Sequence, residues 1–137
     1  MVAKFFDRHQ TFNSLNGVKI MTGAELSRVI EELRERRPFF CELVGENGYK
    51  LLTGVGKDVG CAQYSLSDGS PPYLMATNNS QFDVRDCVEF LIDSTLTPVP
   101  RYYCLPIESV KRIAIYFLET GERSPDVRWE EMRSTAN

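Results

Sequence analysis

Two stretches of the chain repeat apolar residues with the spacing of an amphipathic helix. In the first stretch, four apolar residues lie at relative positions zero, three, four and seven: Leu26, Val29, Ile30 and Leu33. This spacing puts them on one face of a helix, with charged residues on the remaining surface. Thr22 and Glu25 have the spacing of a capping box that starts such a helix. Pro38 then ends it.

The second apolar stripe predicts a helix that begins at Pro106. Pro is suited to a first helical position, and Glu108 favours the positive end of the helix dipole. Six apolar residues share one face: Ile107, Val110, Ile113, Ala114, Phe117 and Leu118. Gly121 follows them as a C-terminal stop signal.

Between the two helices the hydrophobic period changes to two, which is typical of strands. The dipeptide Asn47-Gly48 predicts a hairpin that joins residues 39–46 to residues 49–55. Further strands are predicted at residues 61–66, 73–77 and 87–93. In the last of these, three apolar residues share the face that we expect to be buried: Val88, Phe90 and Ile92. A short final strand is expected at residues 102–105, because Pro98 and Pro100 cannot donate to a central sheet ladder.

The order of helix, consecutive strands and helix indicates the fold class. We expect an α+β protein with an antiparallel sheet of about five to six strands and two main helices packed on one face. The 137 residues suffice for one domain. We expect residues 1–16 to form a poorly ordered N-terminal arm and residues 17–137 to form the single domain.

Composition and charge narrow the classes of function. The longest apolar runs are far shorter than the roughly 20 residues of a membrane span, and no secretory signal is evident, so we expect a cytoplasmic location. The net charge of −3 argues against direct binding to nucleic acid. The four cysteines form no Cys-x-x-Cys pair and are expected to be reduced. The single histidine, His9, has no neighbours with metal-ligand spacing, so no metal or other cofactor is expected.

Carboxylates are concentrated in one segment of the chain. They are Asp83, Asp86, Glu89 and Asp93, with Arg85 as the opposing charge, for a local net charge of −4 + 1 = −3. Three interpretations are open: a solvated strand face, a glycosidase-like carboxylate pair, or a contact surface for a basic partner. For the third, we expect exposed tyrosines to supply much of the affinity, with Tyr73, Tyr102 and Tyr103 as candidates.

The C-terminal part of the sequence closely resembles the immunity protein one family of bacterial polymorphic-toxin systems. The resemblance is carried by residues 105–108, residues 117–123 and residues 124–130. It continues upstream through the Asn47-Gly48 hairpin, the glycine-rich turn at 54–60 and the loop at 68–73, so that it covers roughly residues 20 to 131. Three residues of the motif are expected to be structural: Gly121 as the helix stop, Pro125 in a turn, and Trp129 packed on the sheet or the last helix.

The resemblance implies a non-catalytic protein that is encoded beside a toxin and binds it stoichiometrically. Toxins associated with this family often attack nucleic acids, deaminases among them, and such toxins tend to be basic. An acidic inhibitor would complement that charge. We therefore predict a toxin-binding surface of six residues: Asp68, Tyr73, Asp83, Asp86, Glu89 and Asp93. The oligomeric state is left open.

Two functions from other classes are compatible with the same sequence. One is a small cysteine-dependent hydrolase or transferase that uses Cys61 or Cys104, which would require an exposed thiol with a low pKa. The other is a structural or ligand-binding module that has no toxin partner. A gene for a toxin domain next to the gene for this chain would favour the immunity function over both.

Overall fold

The computed structural model describes residues 1–133 and has two helices and ten strands in that part of the chain. The helices are α1 (Gly23–Leu33) and α2 (Ile107–Thr120). The strands are β1 (Ala3–Asp7), β2 (Lys19–Ile20), β3 (Phe39–Gly45), β4 (Tyr49–Val55), β5 (Val59–Leu66), β6 (Leu74–Thr77), β7 (Cys87–Ile92), β8 (Thr95–Pro100), β9 (Leu105–Pro106) and β10 (Arg128–Glu131). The α+β class is confirmed, although there are more strands than the five to six expected.

The predicted start signal of α1 and stop signal of α2 are both observed, although α1 ends at Leu33, before Pro38. The Thr22 hydroxyl accepts a hydrogen bond from the Glu25 backbone N–H at 3.1 Å, which caps the first turn of α1. Gly121 follows α2 with a φ of 75°, in the left-handed region that favours glycine. Its N–H donates to the carbonyl oxygen of Phe117, so a free carbonyl at the helix end is satisfied.

The strands form one mostly antiparallel sheet in the order β10-β6-β5-β4-β3-β1-β2. The Asn47-Gly48 turn joins β3 and β4 in the register Val44 opposite Lys50. Both helices pack on the same face of this sheet, as predicted. Their apolar stripes share a core with alternate residues of the central strands, among them Phe39, Leu51 and Ala62.

Residues 3–7 of the expected N-terminal arm form strand β1, which lies between β2 and β3. Ala3 and Phe5 are each only 1% exposed and belong to the helix-side core. Asp7, at the end of this strand, has a fully buried side chain and an ion pair with Arg36 at 2.8 Å. The alternation of Ala3, Phe5 and Asp7 is the signal for this strand, and its short length and terminal charge weaken that signal.

The opposite face of the sheet is partly covered by the hairpin of β7 and β8. Phe90 of β7 is fully buried against that face, as expected, and Leu91 pairs with Phe39 in a parallel bridge. The strand expected at residues 102–105 is wrong. The chain instead forms β8 before it, then a 3-10 turn at Arg101–Tyr103 and the two-residue strand β9.

The prolines of β8 are compatible with a strand because β8 lies at the edge of the sheet. Pro98 lies opposite Glu89, and Pro100 lies opposite Cys87. Because proline has no N–H, both residues must occupy non-hydrogen-bonded pairs, in which the backbone groups point away from β7. β8 pairs only with β7, so it is an edge strand, where proline is tolerated.

Candidate partner-binding surface

The hairpin of β7 and β8 has one buried face and one outer face, which is exposed at Glu89, Leu96 and Pro98, whereas Leu91 and Pro100 at its ends are buried. Val88, Phe90 and Val99 pack onto the sheet in a second hydrophobic cluster. On the outer face, the exposed Glu89 lies opposite the exposed Pro98, and Leu96 is 38% exposed. Side chains alternate across a strand, so the burial of Phe90 forces Glu89 outward. The hairpin thus presents a carboxylate among apolar side chains.

Two further predicted carboxylates lie at the start of β7. Asp83 accepts hydrogen bonds from the backbone N–H of Arg85 at 2.9 Å and from its guanidinium at 3.2 Å. These contacts, the backbone one first, lower the pKa of Asp83. Asp86 forms an ion pair with Arg101 at 2.9 Å. Both pairs are solvent-exposed and contribute little to stability, so these carboxylates remain available to a partner.

Asp93 lies at the other end of β7, in the turn to β8, with a positive φ of 52°. Its N–H donates to the carbonyl oxygen of Arg8, and its own carbonyl oxygen pairs with Nδ1 of His9. These contacts tie the hairpin to the segment after β1. Asp86 and Asp93 are separated by the length of β7, roughly 20 Å at about 3.3 Å per residue.

The structure places Asp68 and Tyr73 apart from the hairpin. Both lie in the loop after β5, where the Tyr73 hydroxyl donates to the carbonyl oxygen of Gly69 at 2.6 Å. The opposite end of β5 pairs with β9, next to Cys104 and the Arg101 that contacts Asp86. The length of β5 therefore separates this loop from the start of β7, by roughly 25 Å.

Two of the tyrosines expected to be exposed are buried. Tyr102 is 7% exposed and Tyr103 is 1% exposed, because the 3-10 turn packs them edge-on against Phe82 and against each other. Their hydroxyls also have internal partners: Tyr102 pairs with the Glu130 carboxylate, and Tyr103 accepts from the Arg133 N–H. The expectation of exposed anchors at these positions is wrong. Their burial depends on Phe82, which is distant in the sequence, so the local sequence gave no sign of it.

The residues shared with the resembling family hold the end of the fold together. The Gly121 carbonyl oxygen accepts hydrogen bonds from the Asn47 amide at 2.9 Å and from the Tyr64 hydroxyl at 3.1 Å. Pro125 lies in the turn that precedes β10. In β10, the Trp129 indole N–H donates to the carbonyl oxygen of Ser124 at 2.9 Å, and its ring packs against the helix-side core. The contacts of Gly121 and Trp129 are therefore made within the fold itself.

The cysteines lack the properties of a catalytic nucleophile. Cys61 and Cys104 are 1% and 5% exposed. Burial raises the pKa of Cys104 to about 12 and also raises the pKa of Cys61, whereas a reactive thiol requires a lowered pKa. The alternative function, a cysteine-dependent enzyme, therefore has no support in the geometry.

Other kinds of site are not evident in the described part of the chain. Within residues 1–133, no group of three or more His, Cys, Asp or Glu side chains has metal-binding geometry. Neither helix described is long and apolar enough to cross a membrane.

The comparison with protein families identifies the class of partner. Residues 16–131 match the family described as immunity protein Imm1. The match covers most of the chain, so the chain belongs to this family, whose members are typically non-enzymatic inhibitors that neutralise a cognate toxin. A search of curated proteins finds no significant match.

Proposed function

We propose that this Imm1 protein binds its cognate toxin stoichiometrically through the outer face of the β7 and β8 hairpin. The observation that carries the proposal is the exposed Glu89 opposite Pro98 and diagonal to Leu96, with Asp83 and Asp86 before the start of the same strand. Interfaces combine such apolar contact area with charges that select the partner. The hairpin has both within one exposed element.

We further propose that the toxin is basic and acts on nucleic acid, as a deaminase would. A toxin that holds a phosphate backbone needs clustered Lys and Arg side chains. The hairpin carries four carboxylates and two arginines in contact with them, Arg85 and Arg101, so it keeps a negative charge of −4 + 2 = −2. In this proposal, the hairpin covers the basic cleft in the cytosol of the producing cell, before the toxin reaches its substrate.

Asp68 and Tyr73 belong to the proposal as a second contact. Asp68 is exposed, and its carboxylate accepts from the Ser70 N–H at 2.8 Å. A standard interface buries about 800 Å² on each partner. The width of such a patch is similar to the length of β5, which separates the loop from the hairpin. A toxin of ordinary size can therefore reach both the hairpin and this loop. The hairpin is the primary surface because its charge and apolar area coincide.

The proposal is tested by reversing charge on the hairpin and measuring association with the toxin domain encoded beside the gene for this chain. Glu89→Lys is the cleanest variant, since Glu89 has no ion pair within residues 1–133, whereas Asp86→Lys also releases Arg101. Glu32→Lys is the matched control, because Glu32 is exposed on α1, on the opposite side of the sheet.

We expect Glu89→Lys to slow association roughly 10-fold at low salt and to weaken its dependence on ionic strength. Glu32→Lys changes the net charge equally and should have a smaller effect. Equal association rates for the two variants would show that the toxin does not use the hairpin.

A further inference from the structure

A groove lies on the sheet face opposite the helices, beside the hairpin. It encloses about 470 Å³. Its floor is a row of cross-strand neighbours, Leu52, Gln63 and Met75, and Phe40 lies at its covered end. Strand β8 also lines the groove through residues 97–100, together with Tyr103 and Met132. The lining is mostly apolar, and the volume lies within the usual range for ligand sites.

The wall formed by β8 is a poor edge for an additional strand. In non-hydrogen-bonded pairs, backbone groups point away from the partner strand, so residues 96, 98 and 100 direct theirs away from β7. Leu91 lies opposite Leu96, in the same kind of pair. As expected for such a pair, the Leu91 N–H points away from β8 and donates to the Pro38 carbonyl oxygen at 2.8 Å. Pro98 and Pro100 have no N–H to offer, so a partner strand would find few donors. An occupant must enter with side chains.

The groove contains one partly exposed amide, that of Gln63, whose acceptors within the protein are weak. Within residues 1–133, the Gln63 amide donates only to the thioether sulfurs of Met75 at 3.5 Å and Met132 at 3.7 Å. Sulfur is a weak acceptor, so a carbonyl oxygen from an inserted segment would be a better partner. A carboxamide on an apolar floor both tolerates large apolar side chains and orients the backbone that carries them.

The groove and the acidic face lie on either side of the same two strands. Pro98 contributes to both, since it lies opposite Glu89 and also lines the groove. Nearby carboxylates on the groove side are already bridged: Glu42 to Arg8 and Lys50, and Glu130 to Arg128 and Arg133. Glu89, which has no ion pair within residues 1–133, is on the outer face. The acidic outer face and the apolar groove are thus separated by the thickness of one hairpin, so a single partner could contact both.

We propose that the groove receives a large apolar side chain of the cognate toxin, carried on a segment whose neighbouring Lys or Arg residues reach Glu89 around the hairpin. This inference rests on the proposed function and adds the anchor that the buried Tyr102 and Tyr103 do not provide. Anchors seated in desolvated pockets carry most of the binding energy in protein interfaces, and their loss acts mainly on dissociation.

Two groove variants test the anchor against the same toxin domain. Leu52→Trp fills the groove. Gln63→Glu keeps the side-chain size and replaces the amide donor with a negative charge. The control is Met21→Trp, at a 64% exposed position before α1. We expect each groove variant to dissociate at least about 10-fold faster, with association within about 2-fold of the wild type. Gln63→Glu preserves the test if Leu52→Trp does not fold.

Wild-type dissociation rates for both groove variants, with the slow association of Glu89→Lys retained, would overturn the anchor and leave the proposed function standing. Failure of the wild-type chain to bind the toxin would overturn both. Photocrosslinking from a benzophenone amino acid at position 132 identifies the occupant. A captured toxin peptide with a large apolar residue next to Lys or Arg supports the proposal. Capture of a second copy of this chain, or of a wholly polar peptide, contradicts it.

Discussion

The ring of Phe90 lies directly over Gly54 of β4, where any other residue would collide with it. A Cβ atom at position 54 would come within 2.8 Å of Phe90 Cε1 and 2.6 Å of Cys61 Sγ. This absence of a side chain in the central strand lets the hairpin approach the sheet. The position of the proposed binding surface therefore depends on a residue that cannot itself contact the partner.

Gly54→Ala should destabilise the protein and loosen the hairpin. We expect a loss of about 1–3 kcal/mol in the free energy of unfolding, measured by urea denaturation, because the added methyl overpacks a dense core. In a Phe90→Ala background the same substitution should cost less, because the ring is gone and only the contact with Cys61 Sγ remains. Equal costs in both backgrounds would show that Phe90 does not impose the glycine.

The ion pair between Asp7 and Arg36 should make the stability of the fold sensitive to acid. Burial opposes ionisation of Asp7, but hydrogen bonds from Arg36, Asn13 and two backbone N–H groups outweigh it, so the pKa of Asp7 is lowered. A carboxyl with a lowered folded-state pKa adds stability above its unfolded pKa of about 4, and that stability disappears as the pH falls through the folded value.

Asp7→Asn should therefore cost roughly 3 kcal/mol at neutral pH, because it leaves the Arg36 charge without its partner. The difference between wild type and variant should shrink as the pH falls below about 4. Urea titrations at several pH values measure this. Asp126→Asn, at an exposed position, is the control and should have little effect; a pH-independent cost for Asp7→Asn would contradict the assignment.

The thiols should be slow to react in the folded protein. Burial raises the pKa of Cys41 and Cys104 to about 12, so the thiolate is scarce at pH 8. We expect iodoacetamide to modify the half-buried Cys87 first and the other three cysteines only after unfolding in urea. Rapid labelling of native Cys61 or Cys104, located by mass spectrometry, would revive the cysteine-dependent enzyme.

Trp129 should matter for stability and not for toxin binding. Trp129→Phe removes the hydrogen bond to Ser124 and part of the buried ring. We expect about 1 kcal/mol less stability, which circular dichroism during urea denaturation measures. Binding kinetics should be unchanged. A large rise in the dissociation rate of the toxin would place Trp129 at the interface instead.

The helices and the central hairpin could be predicted from sequence because local signals define them. Thr22, Asn47-Gly48 and Gly121 act within a few residues of their own position. β8 could not be predicted, because the prolines that exclude a central strand are compatible with an edge, and edge position is a tertiary property. The prediction that Tyr102 and Tyr103 are exposed was wrong for a similar reason, because their burial depends on contacts with Phe82, which is distant in the sequence.

The acidic segment was located by sequence, but its arrangement was not. Local composition identified Asp83, Asp86, Glu89 and Asp93 together, whereas the structure spreads them along a hairpin with different partners. The groove beside that hairpin had no sequence signal at all. Its lining residues come from six separate segments of the chain, so only the folded arrangement brings them together.

The central claim is tested most directly by co-expressing this chain with the toxin domain encoded next to it and measuring growth together with complex formation. The account predicts that the wild-type chain restores growth and co-purifies with the toxin in a stoichiometric complex. It also predicts that Glu89→Lys combined with Gln63→Glu loses both properties while remaining folded. Toxicity that persists with the wild-type chain, or growth restored without any complex, would contradict it.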